Sequence, residues 1–67
     1  MMIDAKMNKH QQAEAARCAQ YAAAGYPDMA ARGLSALYRS AMRDTQKTAI
    51  LAFALAISVV SHDDFIV

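Results

Sequence analysis

The chain has 67 residues with sixteen alanines, 57% hydrophobic residues, a single cysteine and a formal net charge of +1 at pH 7. The weak charge argues against the strongly basic class of nucleic-acid-binding proteins, and one cysteine excludes an intramolecular disulfide framework. A domain this short buries only about 60% of its unfolded surface, so we expect a partner chain to contribute to its stability.

The first predicted helix covers about residues 8–24. Asn8 or Asp4 can cap its start, and Gly25 stands where a helix commonly ends in the left-handed conformation. Small side chains at helical spacing predict its buried face, namely Ala15, Cys18, Ala19 and Ala22. Because Cys18 lies mid-helix on that face, we predict an inert, buried thiol.

The second predicted helix covers about residues 27–43 and begins at Pro27, a residue that suits the first helical position. The predicted core face consists of Ala30, Gly33, Leu34, Leu37, Tyr38 and Ala41. Three arginines fall on the other side, which is either a solvated face or a contact surface. Since tyrosine and arginine are favoured at interfaces, we assign partner binding to Arg32, Tyr38, Arg39 and Arg43.

The third predicted helix covers about residues 46–60, with Asp44 or Thr45 as its cap, although a strand over 57–60 is an alternative. Residues 49–57 include no polar side chain, which predicts burial on all sides. This run is shorter than the roughly 20 residues that span a bilayer. The helix is therefore either an interface or the central helix of a monomer. We assign self-association to Ile50, Phe53, Leu55 and Ile57.

The sequence predicts no catalytic residue, no cofactor and no metal site, so we do not expect an enzyme. The spacing of the candidate metal ligands matches no zinc-binding pattern. These candidate ligands are His10, Cys18, His62, Asp63 and Asp64. The C-terminal residues 65–67 (Phe65, Ile66 and Val67) are expected to fold back and close the core. The alternative is a carboxylate offered to a peptide-binding groove.

These elements predict one all-α domain over residues 1–67, a three-helix bundle made of a helical hairpin and a third apolar helix. The residues around Gly25 resemble a single tetratricopeptide unit, with Tyr21 before the glycine and Ala30 and Leu34 after it. The similarity covers only residues 14–42, so what it implies is the hairpin geometry.

Residues 7–12 and 21–32 resemble the small early proteins of the exo–xis region of lambdoid bacteriophages. The resemblance implies a protein of the host cell cytoplasm that binds host proteins and affects the lysis–lysogeny decision or the host cell cycle. Counting from Met7 gives a length typical of the group, which leaves open whether residues 1–6 are native.

Our first hypothesis is therefore a dimeric phage-type accessory protein that binds a host regulatory protein. An alternative is a small nucleic-acid-associated regulator that acts as a dimer through its basic helix face. We rank it lower, because the apolar third helix could not lie in a major groove. A third possibility is a passive subunit of a larger assembly. We expect no membrane insertion.

Overall fold

The computed structural model describes residues 7–66, and residues 1–6 and 67 lie outside the described part. Three helices follow one another: α1 at Lys9–Ala23, α2 at Pro27–Ser40 and α3 at Asp44–Ala56. Within residues 7–66 no strand is present, which confirms the predicted all-α three-helix bundle and removes the strand alternative for 57–60. The Cα radius of gyration is 10.8 Å, close to the value of about 11 Å expected for a folded chain of this length.

The start of α1 is fixed by a reciprocal pair of hydrogen bonds. The backbone N–H of Gln11 donates to Asn8 Oδ1 at 2.8 Å, and the backbone N–H of Asn8 donates to Gln11 Oε1 at 3.0 Å. Two backbone donors that the helix itself leaves unpaired are thereby satisfied. Of the two predicted caps, Asn8 is the one used, and Asp4 lies outside the described residues.

The end of α1 is closed by Gly25, whose φ is +94°. The N–H of Tyr26 donates to the carbonyl of Tyr21 at 2.8 Å, and the N–H of Gly25 donates to that of Ala22 at 3.2 Å. These two bonds define a Schellman motif, which requires a left-handed residue at the position of Gly25. The hairpin turn between α1 and α2 therefore depends on this glycine.

We expect Gly25→Ala to lower the free energy of unfolding by about 1–2 kcal/mol, because an L-residue at positive φ brings its Cβ too close to the carbonyl oxygen. A Cβ added at Gly25 meets no other atom within 4 Å, so the loss comes from the backbone alone. Urea denaturation followed by circular dichroism measures it. Gly25→Asn should lose less, since asparagine tolerates this conformation. An unchanged midpoint in Gly25→Ala contradicts the assignment.

The ends of α2 and α3 differ from the predictions. The second helix ends at Ser40 instead of Arg43, because the buried Ala41 has extended backbone angles, φ −68° and ψ 134°. The third helix begins at Asp44, and its N-cap residue is Arg43. Neither Asp44 nor Thr45 is therefore the cap, and α3 starts two residues earlier than predicted.

At its other end α3 stops at Ala56, four residues before the predicted Val60. The N–H of Val59 donates to the carbonyl of Ala54 at 3.0 Å, and the N–H of Ser58 donates to that of Leu55 at 3.1 Å. This is a second Schellman motif, with Ser58 at φ 63° in the position that glycine usually takes. Val59 is thereby buried beside Ala54 instead of continuing the helix.

The central element is α2, which packs against α1 and against α3. The largest fully buried side chains are Leu34 of α2, Ile50 of α3 and Val59. In α3 only Ile50 and Ala54 are buried, whereas Leu55 is 66% exposed. The helix thus lies at the edge of the bundle with one side covered, so the expectation of burial on all sides is wrong.

Close contact between α1 and α2 depends on Gly33. A Cβ built on Gly33 would stand 2.6 Å from Cys18 Sγ, a distance that real Cβ atoms do not show. The buried Cys18 thus occupies the space that a side chain at Gly33 would need. Small residues at this crossing allow the two helix axes to approach.

None of the helices within residues 7–66 combines the length and the apolar character needed to cross a membrane.

Candidate protein-binding surfaces

One exposed surface runs along α2 and is called the α2 face here; it consists of Arg32, Ala36 and Arg39. These residues follow the spacing i, i+4, i+7, so they share one side of the helix. A hollow of about 310 Å³ lies on one side of this face and a hollow of about 390 Å³ on the other, and Ala36 lines both. The α2 face is therefore a narrow ridge between two concave regions.

The first hollow lies between α2 and the C-terminal segment. Its charged lining consists of Arg32, Arg39, Asp63 and Asp64. Arg32 Nε is 3.7 Å from Asp64 Oδ1, and the other oxygen of Asp64 is 3.6 Å from His62 Nδ1. Carboxylates beside the arginines lower the positive potential there. The predicted basic stripe is thus a surface of mixed charge.

The second hollow lies between α1 and α2. Gly33, Ala36 and Leu37 contribute its apolar lining, and the polar lining comes from His10, Glu14 and Ser40. Glu14 also pairs with Arg17 at 3.6 Å on α1. The pair is largely exposed, so it contributes at most about 1 kcal/mol. This hollow therefore offers a small apolar floor with a polar rim.

Residues 62–66, called the strap here, fold back onto α2. The Ser35 hydroxyl donates to the carbonyl of Asp64 at 3.2 Å and accepts the N–H of Ile66 at 2.7 Å. Phe65 is buried between these two bonds, which confirms that the C-terminal segment helps to close the core. Ile66 is exposed instead of closing the core with Phe65, and Val67 lies outside the described residues. Ser35 itself is buried under the strap.

The four residues assigned to partner binding do not form one cluster. The structure brings Arg32 and Arg39 together on the α2 face. Tyr38 is half-buried on a different side of α2, where Lys47 Nζ of α3 lies 5.9 Å from the centroid of its ring. Arg43 belongs to the connection between α2 and α3. Ala36 was not singled out from the sequence, although its spacing from Arg32 and Arg39 already placed it between them.

A second exposed surface, called the α3 face here, consists of Thr45, Thr48, Ala52, Leu55 and Ala56. None of these five residues is charged, and the exposed Asp44 borders the face only at the start of the helix, four residues before Thr48. Among the residues assigned to self-association, Leu55 lies on this face, and Phe53 and Ile57 are half-buried against the core. Ile50 is 0% exposed, so it is not accessible to a second copy, and its assignment to the interface is corrected. Met42, 90% exposed, precedes the helix.

Cys18 has the environment of a structural thiol. Burial raises the pKa of Cys18, the negative charge of Glu14 raises it further, and Arg17 acts in the opposite direction. The thiolate is the reactive form of cysteine, and here it is disfavoured. Within residues 7–66 no group of three histidine, cysteine or acidic side chains is arranged to hold a metal ion.

Comparison of the chain with protein-family models, with curated proteins and with solved structures gives no match.

Proposed function

We propose that this protein is a small phage-type accessory protein that binds a regulatory protein of the host cell through its α2 face. The observation that carries the proposal is the pair of hollows on either side of Ala36, next to the exposed Arg32 and Arg39. Concave regions receive the side chains of a partner, and arginine is among the residues that contribute most to binding energy at interfaces.

The charges of the α2 face indicate which side chains the partner surface carries. Asp64 already holds Arg32, whereas Arg39 makes no ion pair within residues 7–66. A carboxylate of the partner can therefore pair with Arg39, with the planar two-bond geometry that arginine favours. The small side chain of Ala36 leaves room for an apolar group beside it. We propose a partner surface with an acidic side chain next to small or apolar ones.

The α3 face has a different proposed role, self-association. Its C-terminal part, Ala52, Leu55 and Ala56, is uncharged and lies away from Asp44, so two copies can bring this part together without burying an unpaired charge. Leu55 would be its central contact, because it is the large apolar side chain of this face. A dimer built in this way leaves the α2 face of each copy free for the host protein.

A protein partner is favoured over nucleic acid by the position of Asp63 and Asp64. Both carboxylates line the hollow that contains Arg32 and Arg39. A phosphate backbone that approached these arginines would also approach two negative charges, which opposes binding. The resemblance of residues 7–12 and 21–32 to exo–xis early proteins supports the host-cell setting and the link to the lysis–lysogeny decision or the cell cycle.

We expect Arg39→Glu to weaken binding of the host partner while the fold is retained. The purified protein is immobilised, incubated with host-cell lysate, and the retained protein is identified by mass spectrometry. That protein is then purified, and its dissociation constant is measured by calorimetry. Charge reversal at the α2 face should weaken binding at least about 30-fold, since truncation of a hot-spot residue costs 2 kcal/mol or more.

Lys9→Glu is the matched control, because it makes the same change of charge at an exposed position at the start of α1. Its dissociation constant should stay within about twofold of the wild-type value. Equal binding by Arg39→Glu and the wild type would show that the α2 face is not the contact surface. If no protein retained from the lysate binds after purification, the proposed role of the α2 face in binding a host protein is also contradicted.

A further inference from the structure

The chain reverses direction after α3 at Ser58, whose backbone conformation is unfavourable for a residue with a side chain. Among residues 7–66, Ser58 is the only residue other than glycine with a positive φ, at 63°. Serine has a Cβ, so this conformation is disfavoured relative to the right-handed helix. The local sequence Ile57-Ser58-Val59-Val60 would by itself favour continuation of the apolar helix, although α3 ends at Ala56.

The reversal is therefore held by the burial of Val59 in the core and by the strap that follows it. The strap makes two hydrogen bonds to the Ser35 hydroxyl, one ion pair with Arg32, and places Phe65 in the core. The two hydrogen bonds and the ion pair all end on α2. A strap from another copy of the chain could make the same hydrogen bonds and the same ion pair. The conformation of the short segment 57–61 determines whether the strap docks on its own copy or on another.

We propose that two copies of the protein exchange their straps. In the exchanged dimer α3 continues through Ser58, and each strap docks on α2 of the other copy. Ser35 then bonds to the Asp64 and Ile66 backbones of the second copy. The second copy also supplies the two carboxylates beside Arg32 and Arg39, so it completes one hollow of the α2 face. The exchange itself does not depend on which host protein that face binds.

The α3 face gives a second, independent reason for a copy of the same chain as the occupant. Val59 stands seven residues after Ala52, so in a continued helix it lies in line with Ala52, Leu55 and Ala56. Four more helical residues lengthen the uncharged face by about 6 Å. Two such helices side by side cover each other's apolar surface, while the monomer leaves Leu55 exposed. Exchange of an identical element is a low-cost route to a dimer.

Two substitutions at Ser58 should shift the equilibrium in opposite directions. Ser58→Gly removes the penalty at positive φ and favours the monomer. Ser58→Ala keeps that penalty and favours the continued helix, hence the dimer. Light scattering on a sizing column, over a range of protein concentrations, gives the association constant. With two hinges per dimer, we expect Ser58→Ala to associate at least about 30-fold more strongly than Ser58→Gly.

The corresponding pair at Ser61, which is exposed and lacks a positive φ, is the control and should differ by less than about threefold. Isotope-filtered NMR on a refolded mixture of labelled and unlabelled wild-type protein identifies the exchanged contact. We expect cross-peaks between Ser35 of one copy and Ile66 of the other. A dimer whose intermolecular cross-peaks join only α3 faces overturns the exchange and leaves α3 self-association standing. Equal association by the two Ser58 variants, or a monomer in every sample, also overturns the exchange. Loss of host-protein binding in Arg39→Glu is a separate result that neither outcome changes.

Discussion

Phe53→Asp is expected to lower the free energy of unfolding by about 2–4 kcal/mol, somewhat less than the loss for a fully buried aromatic side chain. Phe53 is half-buried on α3 and packs against the buried cluster. An aspartate there would also place a charge in apolar surroundings. A domain of this length has a total stability of about 3–10 kcal/mol, so a large fraction of the variant should be unfolded at 25 °C. Urea denaturation monitored by circular dichroism measures the loss.

Leu55→Asp separates stability from association, because Leu55 is two residues away and 66% exposed. Its free energy of unfolding should stay within about 0.5 kcal/mol of the wild-type value. Its dimer should weaken at least about tenfold in light scattering, since a charge would enter an apolar interface. Equal stability of the Phe53→Asp and wild-type proteins would contradict the placement of α3. Unchanged association of Leu55→Asp would contradict the role of the α3 face.

Gly33→Ala should lower the free energy of unfolding by about 1–2 kcal/mol. The added Cβ would overlap Cys18 Sγ at 2.6 Å, and overpacking a core costs about 1–3 kcal/mol. The gain in helix propensity from glycine to alanine offsets up to about 1 kcal/mol of this loss. Thermal unfolding followed by circular dichroism gives the change, and for a domain this small 1 kcal/mol corresponds to about 4–8 °C.

Cys18→Ala provides the test of mechanism, because it removes the sulfur atom that the new Cβ would meet. In the Cys18→Ala background, Gly33→Ala should be neutral or stabilising. The double-mutant cycle should therefore show a coupling free energy of at least about 1 kcal/mol. Strictly additive effects would mean that the cost at Gly33 has a different origin from the contact with α1.

The sequence was sufficient to predict elements whose signals are local. The start of α1 follows from the side chains of Asn8 and Gln11, and the start of α2 follows from Pro27. The turn between them follows from Gly25. Each of these residues acts on backbone groups within four or five positions, so its effect can be predicted without the rest of the chain.

The end of α3 could not be predicted in this way. Its apolar pattern continues to Val60, and the reversal at Ser58 depends on strap contacts with Ser35, 29 and 31 residues away in the sequence. For the same reason the pattern did not place Asp64 beside Arg32. The arginines of the α2 face were predicted because they lie on one helix. The hollows beside these arginines could not be predicted, because each hollow is formed by α2 together with a second segment that is distant in the sequence.

The packing order of the helices has a consequence for how fast the chain folds. Contacts of α2 with α1 and with α3 join neighbouring elements, and helical proteins dominated by such local contacts fold in microseconds to milliseconds. The bonds between the strap and Ser35 close loops of 29 and 31 residues. The entropy cost of closing such loops is larger than for the short turns between neighbouring helices, so these bonds should form late. Until these bonds form, the strap of an incompletely folded chain is free to reach another molecule. The yield of exchanged dimer should therefore rise with the concentration of chains that fold at the same time. Refolding at high protein concentration would give more exchanged dimer than refolding at high dilution.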